Sequence, residues 1–434
     1  MLVHEAAGNL RLFFINSITI SWSFGTSLRL VVYISETKGD ILQKIYSIPL
    51  SIVLASLLIG CASPNTHESV EEHEPTKNIN ISPTDSLPTS DENLYLNCLS
   101  PAIKMSIGRA AHSATLLPDG KVLVAGGFRQ QGTSEISISR AEIFDPETNS
   151  FSLTNDMNEP RNGHTATLLP NGKVLIVGGW NQNGRTATAE LYDPQTGKFQ
   201  YIANMMSPRQ GMTATLLQNG QVLIAGGDSA RGVPQPIAEI FDPATGMFTP
   251  SGSLNMGRGA HSATLLEDGR VLFVGGTSGR AVLDSAEIYD PVNEEFTLTG
   301  SANVIRYKHS AVLLNDGTVL LIGGSDQNDW SGKYDSAEIY NPKAGQFKRI
   351  SDLAASRFKL LDAALLLPDG NVLIGGGNRI IEIFDPQTGR FIAGGRLDDD
   401  YFYSVATLLK NGTVLITGGY DSNILPSDKA WLYC

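Results

Sequence analysis

From residue 105 onward the chain writes one unit seven times, and a repeat of this length leaves few folds open. The first copy runs Arg109-Ala-Ala-His112-Ser-Ala-Thr-Leu-Leu, then Asp119-Gly120, Val122-Leu-Val-Ala, Gly126-Gly127, a spacer, Ala141-Glu142-Ile143-Phe144-Asp145-Pro146, and Phe151. The Gly pair returns at Gly178, Gly226, Gly275, Gly323, Gly376 and Gly418, in steps of 42 to 53 residues. Each unit divides into four short strands. SATLL joins KVLVA through Asp-Gly or Asn-Gly, a strong hairpin signal because both central residues can take positive φ. The third strand, AEIF in the first copy, turns at Asp-Pro into a fourth that opens on Phe151, Phe199, Phe248, Phe296, Phe347 or Phe391. Four antiparallel strands per unit, seven units and no helical periodicity predict an all-β, seven-bladed β-propeller.

The seventh unit stops at Leu432-Tyr433-Cys434, where a third strand should be ending. Its fourth strand is expected from the other end of the repeat region, residues 95–105, with Leu99 in the place of Phe151. In that register Cys434 matches Asp145 and Cys98 matches Ser150, so the two cysteines are expected to face each other and form a disulfide.

The repeated arrangement of a Gly pair, then Phe144 or Tyr192 and their equivalents, then an aromatic seven positions on, resembles the kelch repeat. The R-x-x-H-S-A-T-L-L-x-D-G-x-V-L form is similar to the kelch-like central domain of galactose oxidase. Phe stands where kelch repeats usually carry Trp. The resemblance covers residues 95–434 and raises a copper-radical oxidase, which would need a Tyr crosslinked to a Cys, a second Tyr and two His ligands. No Cys lies beside a Tyr that could serve, and no adjacent Tyr-His pair occurs, so neither this activity nor any other cofactor or metal is expected. Sialidase-type Asp boxes are absent as well; Ser325-Asp-Gln-Asn-Asp-Trp330 lacks the glycine.

Upstream, residues 45–60 form an apolar run preceded by Lys44 and closed by Leu58-Ile59-Gly60-Cys61. This resembles the signal peptide and lipobox of bacterial lipoproteins, which implies lipidation at Cys61 and a domain outside the cytoplasm, anchored to a bilayer in the bacterial envelope. Residues 61–94 carry four prolines and many acidic side chains and are expected to be a disordered tether. Residues 1–43, with a second apolar stretch, do not fit the signal peptide at 44–60 and raise the question of the true start. The formal charge of -12 has the wrong sign for a protein held on nucleic acid by phosphate neutralisation. With 41% hydrophobic residues the chain has ample material for a core, and its three cysteines and seven histidines cannot build a dense metal framework.

Six arginines, Arg109, Arg161, Arg209, Arg258, Arg306 and Arg357, recur at the start of the first strand, and six glutamates, Glu142, Glu190, Glu239, Glu287, Glu338 and Glu382, recur on the third. Both are lost together in unit seven, to Tyr401 and Trp431, which points to structural charge pairs within each blade. His112, His164, His261 and His309 follow the Arg by three residues, but other units carry Met212, Asp362 and Ser404 there, so hydrogen-bonded structural histidines are expected and not a metal ring. Asp398-Asp399-Asp400 reads as a solvated loop.

Among antiparallel blades the Asp-Gly and Asp-Pro turns share one face, while the second-to-third loops share the other. Those loops vary in length and content, which is where a rigid scaffold carries binding residues. Phe128, Trp180 and Tyr420 directly follow Gly-Gly in blades one, two and seven, and Tyr401, Phe402 and Tyr403 enter blade seven. An aromatic arc is therefore expected on this face, suited to a protein or carbohydrate ligand. The expected function is non-catalytic binding. The alternative, implied by the kelch resemblance, is a sugar mutarotase or epimerase, an activity some exported kelch propellers have with only Arg and Glu near the central channel, and which a buried, non-repeated acid and base in the channel would favour.

Overall fold

The structure, a computed structural model, describes residues 98–434 and, upstream, three strands, Ile18–Ser23, Arg29–Ser35 and Ile41–Ser47, paired as a separate antiparallel sheet. Residues 48–97, and with them Cys61, where lipidation is expected, and the expected tether at 61–94, lie outside the described residues.

Residues 98–434 form seven four-stranded antiparallel sheets arranged in a ring. In blade one the strands are Ser113–Leu116, Val122–Ala125, Ala141–Asp145 and Ser150–Leu153, hydrogen-bonded in that order. First strands of neighbouring blades touch all the way round, blade seven to blade one included, so they line the axis and fourth strands form the rim. Val122–Ala125 is apolar at every position, without alternation, because neighbouring blades cover both of its faces; all four residues are buried. The core is accordingly seven interblade layers. Leu123, Ala125 and Ala141 of blade one pack on Val174, Ile176 and Tyr192 of blade two, and equivalent clusters fill the other six seams.

Blade seven comprises Val405–Leu408, Val414–Thr417 and Lys429–Tyr433, and its fourth strand is supplied from upstream of blade one. Leu99 bridges Tyr433, as Phe151 opposes Phe144 in blade one, and Ile103–Lys104 pairs with Ala430 and Lys429. Cys98 and Cys434 are joined by a disulfide, with their Cα atoms 5.0 Å apart.

The expected Asp-Gly hairpins are present, and they use only part of the backbone freedom these residues allow. Only the glycine is at positive φ, +92° at Gly120, and Asp119 is not. Gly120 N–H donates to Leu117 O at 2.9 Å and Leu117 N–H to Lys121 O at 2.8 Å, a type I turn followed by a bulge. The Asp119 carboxylate accepts the Lys121 N–H at 3.1 Å, so the acidic side chain braces the turn without leaving the right-handed region. The same pair of backbone bonds recurs in all seven blades.

Candidate functional site at the channel mouth

The six repeated arginines face inward, not toward a ligand. Arg109 Nη2 donates to Glu142 at 2.6 Å and its Nη1 to the carbonyl of Gly126 at 3.0 Å, while Glu142 also accepts the Ser106 N–H at 2.7 Å. Equivalent pairs join Arg161 to Glu190 at 2.8 Å, Arg258 to Glu287 at 2.5 Å and Arg306 to Glu338 at 2.7 Å, as well as Arg209 to Glu239 and Arg357 to Glu382. All twelve side chains are buried. The arginine backbone has a second task. Its carbonyl accepts the N–H of the second Gly of the preceding blade, Gly127 to Arg161 at 2.9 Å and likewise round the ring to Gly419 and Arg109. A Cβ at Gly126 would meet the Arg161 carbonyl oxygen at 2.6 Å, which is why the pair is glycine. Blade seven keeps the backbone bond, Gly377 to Tyr401, but replaces the ion pair by Tyr401 against Trp431, ring centroids 5.0 Å apart.

One level deeper, the channel wall carries His112, His164, His261 and His309. Each Nε2 meets a hydroxyl of the preceding blade: Thr417, Ser113, Thr213 and Ser262, at 2.8 to 3.2 Å. Burial, reinforced by the neighbouring arginines, holds His164 and His261 down to about 3 and the other two well below the usual value, so all four are neutral. Asp362 takes the same place in blade six, where its side chain is solvent-accessible within the channel, and desolvation by the surrounding wall raises its pKa. Away from the axis, Asp398 binds Lys429, and Asp400 accepts from Arg379 Nε at 3.0 Å.

The first strands of all seven blades enclose a channel of about 870 Å³. At its mouth, the residue two after the Arg, or after Tyr401, has positive φ in every blade: Ala111, Gly163, Gly211, Ala260, Lys308, Lys359 and Tyr403. Backbone bonds link these residues from blade to blade, such as Gly163 N–H to Ala111 O and Lys308 N–H to Ala260 O, both 2.9 Å. Four are Ala or Gly. The three long side chains stand in the consecutive blades five, six and seven and bear a left-handed backbone that costs roughly 1–2 kcal/mol at a residue with a Cβ. Ala111 and Ala260 bear the same backbone, so what distinguishes this arc is that the polar side chains of the ring gather in three adjacent blades.

Those side chains converge. Lys308 Nζ donates to Asp329 at 2.7 Å, Tyr307 OH to the same carboxylate at 2.8 Å, and Lys359 lies 3.7 Å from it. Lys359 also donates to Tyr420 OH, and its Nζ stands 4.6 Å from the centroid of Phe358, 5.2 Å from Tyr420 and 5.6 Å from Tyr403. Burial lowers Lys359 to about 8, opposed by Asp329 and assisted by Lys308. Burial likewise raises Tyr403 and Tyr420, so both phenols stay protonated. Two lysines share one carboxylate, and the cluster carries one surplus positive charge.

Of the aromatic residues singled out in the sequence, Phe128, Phe402, Tyr403 and Tyr420 come together here with Phe358. Phe128 and Phe402 are buried, so they form the floor, and only Tyr403 and Tyr420 bring polar groups. Tyr401 does not reach the mouth, because it occupies the place of the arginine. Trp180 stands apart, 38% exposed, with the Arg185 guanidinium 5.1 Å over its ring. Lys308, Lys359 and Asp329 escaped the sequence reading. Their signal was there: Tyr307-Lys308, Phe358-Lys359 and Phe402-Tyr403 replace the small or polar pairs of blades one to four.

Residues 108–158 and 160–206 match family models described as the Kelch motif. Residues 98–434 are a seven-bladed β-propeller whose first two blades carry Kelch motifs. Over 78 residues the kelch propeller is 36% identical to the F-box/kelch-repeat protein SKIP30 of Arabidopsis thaliana, a match covering 18% of this chain and 21% of the relative. The kelch propeller is also similar to the solved structure of a fungal alcohol oxidase of the AA5 family in complex with copper, with a TM-score of 0.64 over 77% of this chain and 76% of that one. At 18% identity that likeness shows the fold alone. The donor set here does not fit copper-radical chemistry. The described cysteines are consumed in the disulfide, the channel histidines have their Nε2 atoms engaged one per seam, and the described residues hold no group of three His, Cys, Asp or Glu side chains able to grip a metal.

Proposed function

We propose that this is an envelope-anchored binding protein, held to a lipid bilayer through Cys61, whose kelch propeller presents its channel mouth to a protein or carbohydrate ligand without doing chemistry itself. Kelch repeats suggest a protein-interaction domain, which supports the general class. The observation that carries the choice of face is the Lys308, Lys359, Asp329 and Tyr420 cluster, seated on strained backbone among the loops that differ from blade to blade. Its surplus positive charge in an aromatic surround suits an anionic group on the ligand.

The test uses the full-length protein in detergent. Lys359→Met is expected to weaken capture of the native ligand about tenfold or more, the loss of one charge-assisted contact. Lys173→Ala, on an Asn-Gly turn, is expected to leave capture unchanged. Capture that survives the first change and fails with the second would place the binding face at the other end of the channel. The anchor is tested apart from the ligand: Cys61→Ala should abolish lipoprotein processing, and an unchanged mature mass would refute it.

One observation favours the sugar mutarotase or epimerase as a second reading. Asp362 is a non-repeated, solvent-accessible acid on the channel wall whose pKa is raised by the protein around it, as an acid catalyst requires. Anomer interconversion followed by NMR that is slowed at least tenfold by Asp362→Asn would select that reading.

A further inference from the structure

Beside the channel mouth a second, smaller cavity of about 230 Å³ lies between blades one, two and three, lined by Glu135, Ser137, Asn162, Trp180, Gln182 and Gln210. It adjoins the channel, since Glu135, Asn162 and Gln210 line both. None of the Lys cluster contributes to it.

Its walls are fixed before any ligand arrives. Gln210 Nε2 donates to Asn162 Oδ1 at 3.3 Å, Asn162 Nδ2 to Ser137 Oγ at 2.8 Å, and Ser137 Oγ to the Trp180 carbonyl at 2.8 Å. Gln182 Nε2 donates to the Ser137 carbonyl at 3.1 Å. Arg185 is pinned between the Trp180 ring and Asp228, whose carboxylate it meets at 3.3 Å, so one face of the indole is covered and the ring is held in place. Trp180 remains 38% exposed. One N–H of each glutamine amide is thus spent on the protein, which leaves the amide oxygens of Gln182 and Gln210 and the Glu135 carboxylate to meet a ligand.

We propose that this groove is a carbohydrate subsite that takes one neutral sugar ring, its C–H face on Trp180 and its hydroxyls donating to Gln182, Gln210 and Glu135. An indole face suits an apolar ring face, and a lining of acceptors suits a ligand rich in O–H donors. The Glu135 carboxylate disfavours an acidic sugar, and the Arg185 guanidinium against the indole disfavours a basic peptide side chain. The volume admits one ring, and continuity with the channel mouth lets a longer chain run on toward it. The inference rests on the mouth face being the binding face and adds the class of ligand.

The experiment titrates the full-length protein, in a detergent without sugar headgroups, with methyl glycosides of glucose, galactose, mannose and N-acetylglucosamine, with methyl glucuronide, and with trilysine, by calorimetry and saturation-transfer NMR. At least one neutral glycoside is expected to bind, and methyl glucuronide more weakly. Trp180→Ala should cut that binding about tenfold with an unchanged melting curve, Trp180→Phe should retain most of it, and Gln182→Leu should weaken it. Binding of no neutral glycoside at tens of millimolar, binding unaltered by Trp180→Ala, or trilysine occupying the groove in preference would each overturn the proposal. A fault in the wider reading would look different: ligand capture indifferent to Lys359→Met, while glycoside binding still depends on Trp180.

Discussion

The buried groups of this propeller are matched in pairs, and a pair fails differently from its members. Arg209 and Glu239 are both fully buried and bonded to each other. Arg209→Met leaves an uncompensated carboxylate and is expected to cost about 3–5 kcal/mol, whereas Arg209→Met with Glu239→Leu should cost much less. Equal losses in urea unfolding for the single and double variants would contradict this account. Blade seven already carries an aromatic substitute, Tyr401 on Trp431. The histidines set the acid limit. Their folded pKa values lie below the unfolded value near 6.5, so the unfolded chain binds more protons once the pH drops below it. Their stabilising contribution is therefore complete above about 6.5 and is lost as pH falls toward 3, at up to about 1.4 kcal/mol per pH unit for each histidine. His164→Gln should make the decline in unfolding free energy between pH 6 and 4 shallower by about one proton. A slope identical to the parent protein would show that His164 is not neutral when folded.

At the scale of strands and turns, the hairpins were readable as hairpins but not in their turn type. Asp-Gly permits two geometries, and residue types alone do not say whether Asp119 crosses to positive φ; the Lys121 N–H that its carboxylate captures decides the matter. Gly172, at φ +81°, is expected to cost about 1–2 kcal/mol when changed to Ala, and less when changed to Asn, which tolerates the left-handed region. Equal unfolding midpoints for Gly172→Ala and the parent would rule out a requirement for that backbone. Strand order, blade number and the origin of the last strand were legible because they follow from spacing. The mouth cluster was only half legible. Tyr403 and Tyr420 stood out as aromatics, but Lys308 and Asp329 of blade five meet Lys359 of blade six through loops far apart in sequence, and the backbone conformation at the two lysines has no residue signature, since Ala, Gly, Lys and Tyr all adopt it round the ring.

For the ring as a whole, closure depends on blade seven, where a short pairing of Ile103–Lys104 and the Leu99 bridge do the work of a full fourth strand. The disulfide spans 336 residues, so its loss should lower stability by at most about 5–6 kcal/mol in the chain-entropy account, with native-state strain reducing the figure. Cys98→Ser is expected to shift thermal unfolding down by several degrees and to expose blade seven first to proteases. An unshifted transition under oxidising conditions, compared with the parent protein, would show that strand pairing alone closes the ring.

The same bond also decides how the domain carries a mechanical load. Tension applied through the chain upstream of Cys98 would, without the disulfide, peel the weakly paired residues 99–104 one hydrogen bond at a time. With Cys98 tied to Cys434, the load passes instead to the end of Lys429–Tyr433, a strand hydrogen-bonded along its length to Val414–Thr417 and buried in the blade. Pulling then loads the pairing of Lys429–Tyr433 as well as that of residues 99–104, so more backbone bonds must give before the ring opens at its leading segment.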